Sequence, residues 1–273
     1  MMTPQRRCEW SCIVALLGLL LASSVGRGAQ NDGDLFASPS QFLGTVKQDY
    51  EHLYLSPSRL LHLGAAFGAG AIMANTDIDR LIQDWYQTHI RTDGGDHASE
   101  VAKAFGEGQY LIPISVAAAL LGDKLSSDTR TSPIGIWGER ATRAYLTGSP
   151  AVLVTQWATG GSRPTEGSSR WQPFQDNNGV SGHAFIGAVP FLTAGRMCEE
   201  NPLARYLLYA ASALPALSRV NDNAHYTSQA FLGWFLAWEA TGAIAQANQS
   251  DRHVSLAPLM TGDACGLALC VRW

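Results

Sequence analysis

Six apolar stretches separated by polar segments constrain the fold of this chain most strongly. Alanine and leucine dominate these stretches, β-branched residues are sparse, and none of the stretches shows sustained period-two alternation, so helices are favoured over strands. Each stretch is shorter than the ~20 residues that a membrane-spanning helix needs. The stretches are Leu60–Ala74, Tyr110–Gly122, Pro150–Ala158, Ala184–Gly195, Tyr206–Leu217 and Phe231–Ala245. The sequence therefore predicts an all-α fold, a helical bundle in a single domain.

The charge content limits the classes of partner that the chain can take. Hydrophobic residues make up 46% of the 273 residues, which is enough for a sizeable core. Charged residues make up only 15%, below the roughly 25% of an ordinary soluble domain, and this leaves peripheral contact with a membrane open. The net charge is −4, and no basic run or aromatic-basic stripe suggests nucleic acid. We therefore expect no nucleic-acid partner and expect an anionic substrate to be held by a few local cations.

The N-terminus has the pattern of an export signal. Arg6 and Arg7 precede the apolar run Cys12–Ser24, which has the length of a signal-peptide core. We assign residues 1–28 to a signal peptide and expect an exported protein of the periplasm or cell surface, with an uncleaved membrane anchor as the alternative.

The rest of the chain divides into three parts. Residues 29–58 are predicted to be a leader segment that packs loosely, residues 59–249 the helical domain, and residues 250–273 an irregular tail. Cys265 and Cys270 lie in that tail, and the sequence leaves open whether they form a disulfide or stay free.

Three short segments combine the residue types that phosphate chemistry needs. They are Gln156–Pro164 (QWATGGSRP), Val180–His183 (VSGH) and Ser218–Gln229 (SRVNDNAHYTSQ), and each lies at a predicted helix end. Arginine binds phosphate oxygens in a bidentate manner, and amides at a helix N-terminus bind anions. One histidine can act as a nucleophile and a second as a general acid, without a metal. The order of the segments thus points to phosphoryl transfer.

The same segments resemble the three motifs of the type 2 phosphatidic acid phosphatase superfamily, which also contains bacterial acid phosphatases and vanadium haloperoxidases. The family pattern is Lys, six residues, Arg-Pro; then Pro-Ser-Gly-His; then Ser-Arg, five residues, His, three residues, Asp. Phe105–Tyr110 also looks like the glycine turn that precedes the motifs in bacterial members. The resemblance covers about residues 60 to 245 and implies a helical bundle of the acid phosphatase and vanadium haloperoxidase type.

The resemblance implies a role for each matched residue. His225 would attack phosphorus to form a phosphohistidine, His183 would protonate the leaving oxygen, and Gln229 would orient His225. The phosphate would be held by the residues at the remaining motif positions. Those substrate-binding residues are Arg163, Arg219, Ser181, Gly182 and Gln156. The implied ligand is a phosphorylated small molecule or a lipid phosphate, and no cofactor or metal is required.

Two departures from the family pattern affect the charge of the site. Gln156 stands where the family has lysine, so a cation is missing unless Arg143 or Arg170 reaches the site. Gln229 stands where the family has aspartate, and an amide can orient a histidine but cannot stabilise an imidazolium as a carboxylate does. These replacements predict an exported, metal-independent phosphatase whose rate is reduced.

Two other functions remain as alternatives. One is a vanadium-dependent haloperoxidase, which would hold vanadate in the same anion site. The other is a catalytically weak or inactive member that binds phosphorylated ligands. The sequence leaves the choice between lipid and soluble substrates open, as well as the oligomeric state.

Overall fold

A computed structural model describes residues 39–125, 132–250, 254–261 and 264–271. The predicted signal peptide at residues 1–28 lies outside this part of the chain. The described residues form ten helices and two strands. The helices are α1 (Pro39–Tyr54), α2 (Pro57–Asn75), α3 (Ile78–His89), α4 (Asp93–Ala104), α5 (Gly108–Leu125), α6 (Pro133–Thr159), α7 (Gly182–Met197), α8 (Pro202–Ala211), α9 (Leu214–Asn221) and α10 (Thr227–Ser250). The all-α class is therefore confirmed.

Three helices, α6, α7 and α10, form the centre of the bundle. Leu232 and Leu236 of α10 pack in one buried cluster with Ala144 of α6 and Phe185 and Leu192 of α7. Small residues let these helices approach closely, since a β-carbon added at Gly148 of α6 would lie only 2.6 Å from the ring of Phe185. The glycine and alanine content of the apolar stretches thus serves close helix packing.

The predicted loose leader at residues 29–58 is wrong for its described part. Residues Pro39–Tyr54 form helix α1, in which Leu53 is 1% exposed and belongs to the central cluster. Asp49 of α1 is also buried, and both of its carboxylate oxygens accept hydrogen bonds from Arg143 of α6 at 2.7 and 2.8 Å. A polar segment is therefore part of the core because its buried charge is paired.

The C-terminal segment also differs from the prediction. In place of an irregular tail, Val254–Thr261 (β1) and Ala264–Val271 (β2) form an antiparallel hairpin in which Thr261 pairs with Ala264. The missed signal is the pair Gly262–Asp263 between two apolar runs, a sequence typical of a two-residue hairpin connection. Cys265 and Cys270 both lie on β2, and their side chains lie outside what the structure describes.

A bend between α4 and α5 brings the chain against the first turn of α7. A β-carbon at Gly106, within this bend, would lie 2.9 Å from the Cβ of His183, so only glycine fits. Among the described helices none is by itself long and apolar enough to cross a membrane, but the bent pair Asp93–Ala104 and Gly108–Gly122, which meet at 47°, passes by length and composition.

Candidate active site

The first segment begins where α6 ends. Gly160 follows the helix with φ +62°, and its amide donates to the carbonyl of Gln156 at 3.0 Å. This left-handed turn, which glycine adopts without strain, directs the chain into the loop that contains Ser162 and Arg163. The prediction that this segment lies at a helix end is confirmed.

The second segment forms the start of α7. Ser181 is buried and caps the helix, since its Oγ accepts from the amide of Ala184 at 3.3 Å. Gly182 and His183 are the first residues of the helix. The first amides of a helix have no partner within it and favour a negative charge at that end. This part of the site can therefore bind an anion.

The third segment is a tight turn between α9 and α10. The carbonyl of Arg219 accepts from the amides of Ala224 at 2.9 Å and of His225 at 3.1 Å. Asn223 adopts a positive φ of 54° in this turn, as asparagine does more readily than most residues. The turn places His225 beside the last turn of α9, which carries Arg219.

Gln229 joins all three segments through hydrogen bonds. Its side-chain Oε1 accepts from Nδ1 of His225 at 3.0 Å and from the amide of Tyr226 at 3.1 Å. Its Nε2 donates to the carbonyl of Ser162 at 2.9 Å, and its own carbonyl accepts from the amide of Ser181 at 2.9 Å. The side chain is 1% exposed, so the connection is buried.

These contacts determine which nitrogen of His225 carries the proton. The carbonyl of Ser162 can only accept, so the NH₂ group of Gln229 must face it and the amide oxygen must face His225. Nδ1 of His225 then donates, and Nε2 of the neutral ring keeps a free lone pair. Burial, together with the charges of Arg219 and Arg163, lowers the pKa of His225 to about 4. The ring of His225 is therefore neutral above about pH 4.

His183, in the first turn of α7, also has a lowered pKa. Burial is the main cause, and Arg219, Arg163 and Lys103 contribute through their positive charges. The carboxylate of Glu107, in the bend between α4 and α5, raises the pKa of His183 in part. Because His183 is less buried than His225, it titrates in a more accessible environment and can exchange a proton with a ligand.

Two arginines flank the histidines with unequal exposure. The side chain of Arg219 is 12% exposed and pairs through Nη1 with Asp222 at 3.5 Å. Its Nε is buried and has no hydrogen-bond partner among the described residues. Arg163 is exposed and donates from Nε to Asn178 at 2.9 Å. An anion bound between the two side chains would accept hydrogen bonds from arginine N–H groups that have no other acceptor among the described residues.

Hydrogen bonds join the three segments that contain the eight residues singled out from the sequence, and Gln156 makes one of these bonds. Its Nε2 donates to the carbonyl of Val180 at 2.9 Å, which ties the end of α6 to the start of α7. A β-carbon at Gly182 would lie 3.5 Å from the same Nε2. Gln156 thus borders the site but brings no charge to it.

Neither Arg143 nor Arg170, the two arginines expected as possible further cations, is shown to reach the site. Arg143 is 1% exposed and bound to Asp49, Glu139 and Asn248 in the core. Arg170 is exposed in the loop, and no described hydrogen bond or ion pair joins its side chain to the site. The sequence reasoning missed Lys103 and Glu107, whose charges act on His183. The glycine turn at residues 105–110 was the available signal, since both charges lie in or next to it.

No group of three His, Cys, Asp or Glu side chains in the described ranges could hold a metal ion. No family model, no curated protein and no solved structure matches this chain.

Proposed function

We propose that this protein hydrolyses phosphate monoesters through a phosphohistidine intermediate. The observation that carries the proposal is the buried amide of Gln229, which holds Nδ1 of His225 as a donor and leaves Nε2 as a nucleophile. Nε2 attacks phosphorus and the ester bond breaks. His183, in its protonated form, donates a proton to the departing oxygen. His183 then removes a proton from water, which attacks the phosphohistidine and releases phosphate.

We assign the phosphate oxygens to groups with N–H or O–H donors that are unpaired among the described residues. Arg219 offers its buried Nε, and Arg163 offers two Nη groups. The amides at Gly182 and His183 add the N-terminal end of α7. Ser181 uses its oxygen as the helix cap, which leaves the hydroxyl hydrogen to donate. Donors placed before the reaction stabilise the charge that develops in the transition state.

We also propose that the chain belongs to the type 2 phosphatidic acid phosphatase superfamily and has the helical bundle of the acid phosphatase type. The support is the order and spacing of the motif residues in the sequence, together with the hydrogen bonds by which Gln229 joins His225, Ser162 and Ser181. The proposal also includes export to the periplasm or cell surface, which rests on the sequence of residues 1–28 alone.

Substitution of the two histidines tests the mechanism. We expect His225→Ala to lower kcat on an aryl phosphate by at least about 10³-fold, since removal of a nucleophile abolishes the covalent route. His183→Ala should cost about 10²- to 10⁴-fold on an alkyl phosphate and less on p-nitrophenyl phosphate, whose acidic phenol departs readily as its anion. The matched control is His89→Ala, an exposed histidine on α3. Mass spectrometry of the wild-type protein quenched in alkali should find phosphate on His225.

Other results would contradict the proposal in specific ways. Turnover that survives His225→Ala, or that a chelator removes, would exclude this mechanism. Halide oxidation in added vanadate without phosphate release would identify a haloperoxidase. Phosphate binding without release from any ester would identify a binding protein. Assays with a soluble monoester and with phosphatidate in vesicles would separate the two substrate classes.

A further inference from the structure

Asp222 holds two cations on one carboxylate oxygen. Its Oδ2 lies 3.5 Å from Nη1 of Arg219 and 3.8 Å from Nζ of Lys103. Its Oδ1 accepts from the hydroxyl of Ser99 at 2.7 Å. One negative charge shared by two positive charges leaves an excess of positive charge at this position, beside the arginine that faces the candidate phosphate site.

The backbone around Lys103 brings this lysine to the first turn of α7. The carbonyl of Lys103 accepts from the amide of Gly106 at 2.9 Å, and Gly106 packs directly on His183. The charge of Lys103 acts on His183 together with those of Arg219 and Arg163. Lys103 therefore belongs to the same electrostatic environment as the two motif arginines, although α4 precedes the first motif segment by about 50 residues of sequence.

The side chain of Lys103 is free enough to turn towards a ligand. It is 37% exposed, and its contact with Asp222 at 3.8 Å is at the outer limit of an ion pair. A lysine ammonium is a compact charge on a flexible stem, so it can exchange a loose carboxylate for a phosphate oxygen.

We propose that Lys103 is a third cation of the phosphate site, in addition to Arg163 and Arg219. The inference rests on the proposed function, because it names a further substrate-binding residue of the same site. The ligand class is the phosphate group of a monoester, whose negative charge two or more cations neutralise.

Calorimetric titration with inorganic phosphate tests the role of Lys103 independently of turnover. At pH 7.5 and low salt, we expect Lys103→Gln to raise the Kd of phosphate about tenfold, a value reduced for the exposure of the side chain. Lys103→Arg should restore most of the affinity because it keeps the charge. The effect should shrink in about 1 M salt, where the Debye length is near 3 Å. Lys47→Gln, an exposed lysine on α1, is the matched control and should bind as the wild type does.

A second variant separates phosphate binding from a purely structural partnership with Asp222. If Lys103 only balances the charge of Asp222, the double variant Lys103→Gln with Asp222→Asn should bind phosphate as the wild type does. If Lys103 contacts phosphate, the double variant should remain weaker than Asp222→Asn alone. The KM for a phosphate monoester should rise in Lys103→Gln with little change in kcat.

Two negative results have different meanings. A wild-type protein that binds phosphate and releases it from an ester, with the same Kd in Lys103→Gln, would overturn the inference about Lys103 and leave the proposed function standing. A wild-type protein that neither binds phosphate nor hydrolyses any ester would overturn both.

Discussion

At the scale of single residues, the side chain of Gln229 determines how the candidate site is assembled. It accepts from His225 and Tyr226 and donates to Ser162, so one buried amide uses both of its ends. An aspartate at this position could accept from the histidine but could not donate to the carbonyl of Ser162. Compared with a carboxylate, the amide stabilises an imidazolium less, but it makes an additional hydrogen bond to the loop that carries Arg163.

Replacement of this amide by a carboxylate tests the connection. Gln229→Glu is expected to lower the free energy of unfolding by about 1–3 kcal/mol, because Ser162 loses its donor and its carbonyl then faces a carboxylate oxygen. The same change should raise the pKa of His225, since a negative charge favours the imidazolium. Chemical denaturation and an NMR titration measure the two effects, and Gln48→Glu on the exposed side of α1 is the control. Unchanged stability would show that the contact with Ser162 contributes little.

The two histidine pKa values predict an acid pH optimum. His225 must be neutral to attack, so kcat/KM should fall as the pH drops below its pKa of about 4. His183 must be protonated to act as the acid. Its pKa lies below the ordinary value of 6.5, so kcat/KM should already be falling when the pH reaches 6.5. The profile of kcat/KM for an alkyl phosphate should therefore be highest between about 4 and 6.5. An optimum above pH 7 would contradict these assignments.

At the scale of helices, close approach between α7 and α10 depends on a missing side chain. A β-carbon at Gly233 of α10 would lie only 2.1 Å from the carbonyl oxygen of Ser181, directly before α7. Asp79 of α3 holds the beginning of α10, where its carboxylate accepts from the amide and the hydroxyl of Ser228. The position of the anion-binding end of α7 relative to His225 thus follows from how these helices pack.

An added methyl group at the helix contact should separate the motif segments. We expect Gly233→Ala to cost about 1–3 kcal/mol of stability as an overpacking change. It should also weaken phosphate binding, because the carbonyl of Ser181 must move away from α10. Gly64→Ala on α2 is the matched control, since nothing lies within 4 Å of its added β-carbon, and it should be neutral or slightly stabilising. Equal unfolding midpoints for the two variants would contradict the expectation.

At the scale of the whole molecule, the bundle is closed by a buried ion pair that joins distant parts of the chain. Arg143 of α6 is bound by Asp49 of α1, by Glu139 one turn away and by Asn248 near the end of α10. A buried guanidinium in a core of this kind is tolerated only when its donors are satisfied. Helix α1 is therefore part of the folded domain.

Loss of one member of this pair should be costly. Asp49→Ala leaves two buried donors of Arg143, Nε and Nη2, without acceptors and is expected to lower the free energy of unfolding by about 3–5 kcal/mol. The control is Glu51→Ala on the same helix, whose pair with Lys47 is exposed and should contribute less than about 1 kcal/mol. Urea denaturation measures both variants. A loss below 1 kcal/mol for Asp49→Ala would show that α1 is not an integral part of the domain.

Much of the helical fold could be predicted from the sequence, because apolar composition and residue preference act locally. The errors occurred where a local pattern was weak. Helix α1 is polar on average and depends on partners almost 100 residues away, such as Arg143. The apolar stretch Tyr206–Leu217 is divided between α8 and α9, because Pro215 favours a helix start.

The helical class and the eight candidate site residues could be read from the sequence, since both depend on residue types and short spacings. The tautomer of His225, the contact of Gln156 with Val180 and the position of Lys103 beside Asp222 follow from the packing of the helices. These features depend on contacts between residues far apart in the chain, and no local pattern encodes the distance between two helix ends. The site therefore combines motif residues visible in the sequence with charges and hydrogen bonds that exist only after the helices have packed.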